Sequence, residues 1–171
     1  MKKLVFFVIG VVVLVAGYYF FPEKSLAHNV KIDRLVVKKA DRKMEAYYKG
    51  ELLKTYTISL GFNPIGHKEY EGDGKTPEGV YTINDRNPKS GYYLNLGVSY
   101  PNEKDRQHAS SLGKSPGGDI KIHGLRNGNA GYIGKFHRFK DWTAGCIAVT
   151  NDEVQELYDA VILGSEIEIK P

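Results

Sequence analysis

The chain has 171 residues, 42% of them hydrophobic and 26% charged, with a formal net charge of +4. That composition excludes wholesale disorder and allows one domain with a sizeable core plus, at most, a short appendage. Three lysines and one glutamate among the first 24 residues carry half of the excess charge. The remainder is too weakly and diffusely basic to argue for a nucleic-acid partner.

The first element is apolar. Met1-Lys2-Lys3 precedes eighteen residues, Leu4 to Phe21, that include no charge and thirteen Leu, Val, Ile or Phe side chains. As a helix rising about 1.5 Å per residue this run measures about 27 Å, close to the ~30 Å hydrocarbon core of a bilayer. Tyr18 and Tyr19 fall near its outer end, where aromatic rings suit the interface. Its length favours a retained transmembrane anchor; a cleaved signal peptide, with Ser25-Leu26-Ala27 as the processing site, is the alternative. Both leave Lys2 and Lys3 cytoplasmic and export the rest, which places the chain in the cell envelope, facing the periplasm. The division is therefore residues 1–27, anchor or signal with linker, and residues 28–171, one exported domain.

Ile32 to Val37, Lys43 to Tyr48 and Leu52 to Leu60 read as three strands of an antiparallel meander. A glycine-rich loop, Gly61 to Thr76, follows, then a short strand ending at Ile83 and another from Tyr92 to Tyr100. Pro101 to Leu112 reads as a helix with Ser99 or Tyr100 just outside it and proline in the first turn. Ile120 to His123 is a short apolar strand. Gly124 to Asp141 lacks periodicity and is expected to be a loop folded over the site. Ile147 to Val149 is a brief strand. Thr150 or Asn151 then caps a helix from Asp152 to Val161 that Gly164 ends, and Ile167 to Ile169 is the last strand. The fold class is mostly β, a β-rich α+β domain with two short helices behind one N-terminal apolar helix.

Cys146 is the only cysteine, so it cannot close an internal disulfide. Three explanations stand for it. As a buried thiol it is a small apolar group. As a metal ligand it needs His123 and His137, with His108 or Asp119 as a fourth, but no compact zinc spacing is present. As a nucleophile it needs His123 as the base that takes its proton, with backbone N–H groups near Gly145 and Cys146 holding the oxyanion.

Three segments carry a family resemblance: Thr76-Pro77-Glu78-Gly79-Val80-Tyr81, Ile122-His123-Gly124 and Thr143-Ala144-Gly145-Cys146-Ile147-Ala148-Val149. In content, order and separation they resemble the L,D-transpeptidase catalytic domain (YkuD), over about residues 31–170. The resemblance implies a β-sandwich with the site at one end. It also implies action on peptidoglycan stem peptides through a thioester on Cys146, with His123 as base, and no metal or organic cofactor. Gly145, with Ala144, takes the oxyanion turn. Thr143, Gly124 and His137 are candidate supporting residues. Arg126, Arg138, Trp142 and Tyr93 are candidates for binding substrate, with Lys135, Lys140 and Tyr92 as further possibilities in the loop and strand. There are two departures: Ala144 stands where many members have a second histidine, and Ala148 where many have an arginine. The Asp141-to-Cys146 form, with Ser99-Tyr100-Pro101-Asn102, resembles the short single-domain branch that includes murein hydrolases as well as crosslinking enzymes. Transferase and hydrolase outcomes, and a wall-binding module without catalysis, stay open, as does the oligomeric state.

Overall fold

The structure, a computed structural model, describes residues 1–128 and 130–171, with the backbone alone at 130–131. Strands β1 (Ile32–Lys38), β2 (Lys43–Tyr48) and β3 (Glu51–Thr57) form the expected antiparallel meander. β4 (Gly79–Ser90), β5 (Tyr93–Val98), β6 (Lys121–His123), β7 (Ile147–Ala148) and β8 (Val161–Lys170) complete one curled sheet in the order β3-β2-β1-β8-β4-β5-β6-β7. β8 is central: it runs parallel to β1 on one side and antiparallel to β4 on the other. Its inward face and that of β1 bury Leu35, Val37, Ile167 and Ile169, and the core continues through Ile83, Leu96, Ile122 and Ile147 toward the site.

β4 is far longer than the strand ending at Ile83. Its first residues pair with β8 and the rest with β5, with register shifts near Ile83 and Pro88. Asn84 to Asn87 is polar and has no apolar period, yet it is a partly exposed ladder segment, and bulges absorb the proline's missing N–H.

Helix α1 (Lys2–Phe20) matches the apolar run, buries none of its residues and is long and apolar enough to cross a membrane. Helix α2 (Glu103–Ser111) starts later than expected because Asn102, not Ser99 or Tyr100, caps it. The Asn102 side chain accepts from Asp105 N–H at 3.1 Å, and the Asp105 carboxylate accepts from Asn102 N–H at 2.8 Å. Each bond satisfies an amide that a helix start leaves orphaned. The loop expected over Gly124 to Asp141 contains a single helical turn, α3 (Ala130–Ile133), continuing into a 3₁₀ helix, Gly134–Phe139. Helix α4 (Asn151–Ala160) carries the reciprocal Thr150/Glu153 cap and buries Val154 and Leu157. Gly164 does not end it. The chain enters β8 directly at Val161, and Gly164, at φ +89°, lies where five steps along β8 oppose two along β1.

Candidate active site

His123 ends β6, where its backbone pairs with Asn95 of β5 on one side and Ala148 of β7 on the other. Its Nδ1 lies 2.7 Å from the carbonyl oxygen of Gly124. A carbonyl only accepts, so Nδ1 carries the proton and Nε2 keeps the lone pair a base needs. The ring packs against Tyr92, at 4.7 Å between centroids, and meets Trp142 edge-on at 5.7 Å. Burial among these rings pushes the imidazole pKa down, and the Gly124 bond opposes that weakly. Gly124 has to be glycine, because a Cβ there would fall 2.6 Å from Asn151 Oδ1.

Cys146 immediately precedes β7. Ile122 pairs with Ile147, so extending that register by one residue sets Cys146 beside Lys121. Successive side chains alternate in a strand, which puts Lys121 and His123 on one face of β6, beside the sulfur. The thiol is 3.4 Å from the carbonyl oxygen of Asp119. Burial pushes its pKa up; the amide and ammonium of Lys121 pull it down, and the Asp119 carboxylate raises it. Both groups are thus displaced toward their neutral forms.

The turn before the sulfur is fixed by Thr143. Its hydroxyl donates to the Cys146 carbonyl at 2.7 Å and accepts the Gly145 N–H at 3.1 Å. Gly145 has φ +138°, and a Cβ would sit 2.7 Å from the Lys75 carbonyl oxygen, so no other residue fits. Thr143 therefore builds the turn and does not orient His123, a task the Gly124 carbonyl performs. The Gly145 N–H is likewise occupied. Among the described residues, the Cys146 N–H has no hydrogen-bond partner. The strand expected to run to Leu60 ends at Thr57, and the next residues clamp this turn through bridges from Ser59 to Ala148 and from Gly61 to Thr143. Asp141 anchors the preceding residue, accepting from Leu60 N–H at 2.9 Å and from the Arg42 guanidinium.

His123 and Cys146 line one open cavity of about 420 Å³, together with Trp142, Asn95, Lys121 and Asp119. Ala144, Thr143 and Tyr92 border it too. Other candidates lie elsewhere. His137 is buried, and the Ser59 hydroxyl donates to its carbonyl at 2.8 Å and accepts from its Nδ1 at 3.1 Å. Its Nε2 has no partner among the described residues. Burial, Arg138 and His123 hold its pKa down to about 4. The Arg138 side chain is nearly covered and ion-paired to Glu153 at 2.8 Å and bidentately to Glu23, so its charge is already committed. Tyr93, at φ +68°, bonds Gln155 at 3.1 Å outside the cavity. Arg126 and Lys140 are exposed loop residues that do not border the cavity, and Lys135 bonds the Phe21 carbonyl. Among the described residues no three His, Cys, Asp or Glu side chains converge as metal ligands.

Three cavity residues, Ser90, Asn95 and Lys121, escape the sequence reading. Asn95 is 8% exposed, and its Oδ1 has no partner among the described residues. Lys121 supplies the only ammonium bordering the cavity among the described residues. Alternation in Leu94-Asn95-Leu96 and Lys121-Ile122-His123 is the signal that reveals Asn95 and Lys121.

Comparison with known proteins follows the same outline. The chain matches the YkuD family model, the L,D-transpeptidase catalytic domain, over residues 32–169. YafK of Escherichia coli (strain K12), provisionally named an L,D-transpeptidase, is 30% identical over 131 residues, 72% of this chain and 44% of that protein. A variant of Pgp2, the helical cell shape determining protein of Campylobacter jejuni, superposes with a TM-score of 0.61 at 27% identity. That alignment covers 85% of this chain and 49% of Pgp2. An L,D-transpeptidase from Mycobacterium smegmatis shares the fold, with a TM-score of 0.54 at 16% identity over 81% of this chain and 58% of that one. The chain thus spans about half the length of the relatives it matches. By the extent of the family match, it belongs to the L,D-transpeptidase catalytic-domain (YkuD) family.

Proposed function

We propose that this chain is a cysteine acyl-transfer enzyme of the cell wall, acting on peptidoglycan stem peptides through a thioester on Cys146. The observation that carries this reading is one cavity holding both the thiol and an imidazole whose Nδ1 is committed to Gly124, leaving Nε2 as the base. Because burial favours the neutral forms, proton transfer accompanies attack instead of preceding it. The thiol proton passes to Nε2 of His123 as Sγ bonds to the substrate carbonyl carbon. The Cys146 N–H lies next to the oxygen on which charge develops. The C–N bond then breaks, the imidazolium returns its proton to the leaving amine, and a thioester remains. An incoming amine gives transpeptidation and water gives hydrolysis; each expels the thiol.

Lys121, whose ammonium makes only long contacts with Asp119 at 3.6 Å and Asp85 at 4.0 Å, is the cation placed to take a substrate carboxylate, in the absence of an arginine at 148. Asn95 Oδ1 is placed to accept a substrate N–H. We read α1 as a retained anchor that holds the domain outside the membrane. Incubating the full chain with purified peptidoglycan fragments and analysing them by mass spectrometry tests the function. Exchanged or crosslinked stems that vanish in Cys146→Ser support transfer, and shortened stems support hydrolysis. Unchanged fragments with undiminished wall binding overturn catalysis and leave a binding module.

A further inference from the structure

The apolar surface beside the end of α1 is not used by the site. Tyr132 is 86% exposed and Phe139 73% exposed, and Ile133 is also exposed between them. This surface is continuous with the anchor. Tyr18 lies 5.6 Å from Phe139 between ring centroids, and Tyr19 lies 5.0 Å from Phe136. Gly134 makes room for that contact, since a Cβ there would come within 2.8 Å of the Tyr19 ring. Polar bonds lock the arrangement. Arg138 grips Glu23 through both nitrogens, at 2.5 and 2.9 Å, and Lys135 donates to the Phe21 carbonyl. Arg138 also reaches Glu153 on α4, at 2.8 Å, which ties the clasp to the body of the domain.

We propose that Tyr132, Ile133 and Phe139 insert into the outer interface of the bilayer that α1 spans, so that the catalytic domain is seated on the membrane instead of swinging from a linker. The inference rests on the reading of α1 as a retained anchor. Its nineteen residues give about 28 Å of helix, just enough for the hydrocarbon core, which places Tyr18 to Phe21 at the interface. The interfacial layer is roughly 5–7 Å deep on each side. Phe136 and Phe139, whose rings touch Tyr18 and Tyr19, therefore lie at its depth, and the exposed Tyr132 and Ile133 directly precede Gly134, which abuts the Tyr19 ring. Aromatic side chains favour that layer, and the exposed Lys24 and Lys140 flank the patch as interfacial cations do. The seat also fixes the height of the cleft. Cys146 lies seven steps along the chain from Phe139, a reach of at most about 25 Å. Only stem peptides close to the membrane surface would then be in range.

The sole thiol makes the test direct. In a Cys146→Ser background, Tyr132→Cys, Phe139→Cys, Leu52→Cys and Val12→Cys are spin-labelled one at a time. The full chain is placed in phosphatidylethanolamine–phosphatidylglycerol nanodiscs, and accessibility to oxygen and to a water-soluble nickel complex is measured. The proposal expects oxygen-over-nickel ratios at 132 and 139 several-fold above that at 52, on the exposed hairpin. Ratios equal to that at 52, with lipid-like behaviour at 12, overturn the seat and leave the anchor intact. Low accessibility to both reagents at 132 and 139 means that protein covers the patch, and this also overturns it. Water-like behaviour at 12 sinks the anchor and the seat together.

Discussion

The carbonyl oxygen of Gly124 and Nδ1 of His123, 2.7 Å apart, belong to neighbouring residues, yet this contact decides what the imidazole can do. It holds the ring in one tautomer with the basic nitrogen free. His123→Ala is expected to slow acyl-enzyme formation by about 10²–10⁴-fold, the range for a positioned general base. Single-turnover mass spectrometry of the Cys146 thioester measures this. An unchanged rate would remove His123 from the mechanism.

Resting neutrality has its own signature. Burial raises the Cys146 pKa, so the thiolate is scarcer at pH 7 than in an ordinary cysteine peptide. Iodoacetamide, which reports thiolate, should label the free protein more slowly than it labels such a peptide, with a rate that climbs above the usual thiol range. Fast labelling with a plateau below pH 7 would instead indicate a preformed thiolate–imidazolium pair.

His137 makes stability depend on pH. Its pKa falls from 6.5 to about 4 on folding, so between those values the unfolded chain binds more protons. Stability therefore rises with pH across that window and is lost as pH falls from 6.5 toward 4, by on the order of 3 kcal/mol. The depressed His123 value acts in the same direction. His137→Asn, which keeps an N–H donor for Ser59, should flatten part of that slope in thermal melts recorded from pH 7 to pH 4. An identical slope in the variant would assign the effect to other groups.

Substrate selection is expected at Lys121 and Asn95. Lys121→Met removes a cation and should raise KM about ten-fold for a stem peptide with a free carboxylate, equivalent to ~1.4 kcal/mol. A matched amidated peptide should barely respond. Asn95→Leu should also raise KM while leaving the melting temperature unchanged or higher, since an unbonded buried oxygen costs the free protein stability. Equal KM values in the variants and the parent would move substrate binding away from this wall.

Glycine at 145 is a geometric demand. Gly145→Ala would force φ +138° on a residue with a Cβ and press that carbon onto the Lys75 carbonyl. A loss of roughly 1–3 kcal/mol is expected in denaturant melts, and wild-type stability would refute the strain.

What was legible in the sequence divides along physical lines. Helix α4 was readable because its Thr150/Glu153 cap and its Val154–Leu157 face are local signals. Cys146 and His123, which share one cavity, stand out in sequence because the small-residue turn and the His-Gly pair lie within short segments. β4 beyond Ile83 was not, since an exposed polar ladder has no apolar period. The start of α2 differs from the expected one because Asn102 and Asp105 cap each other behind a proline. The fates of His137 and Arg138 were unreadable for another reason: their partners, Ser59, Glu23 and Glu153, are far away in sequence. Charge alone marked Arg138 for substrate, and only the fold shows where it is spent.

The position of β8 bears on assembly. The strand farthest along the chain sits between β1 and β4, so until it arrives the meander and the site-bearing strands lack the strand that pairs with both, and the short bridges of Ser59 and Gly61 to the site turn are left to hold them. Closure must wait for residues 161–170 to emerge. If the N-terminus stays behind and the rest follows α1 across a membrane in chain order, the sheet would stay open at its centre until nearly all of the chain had passed.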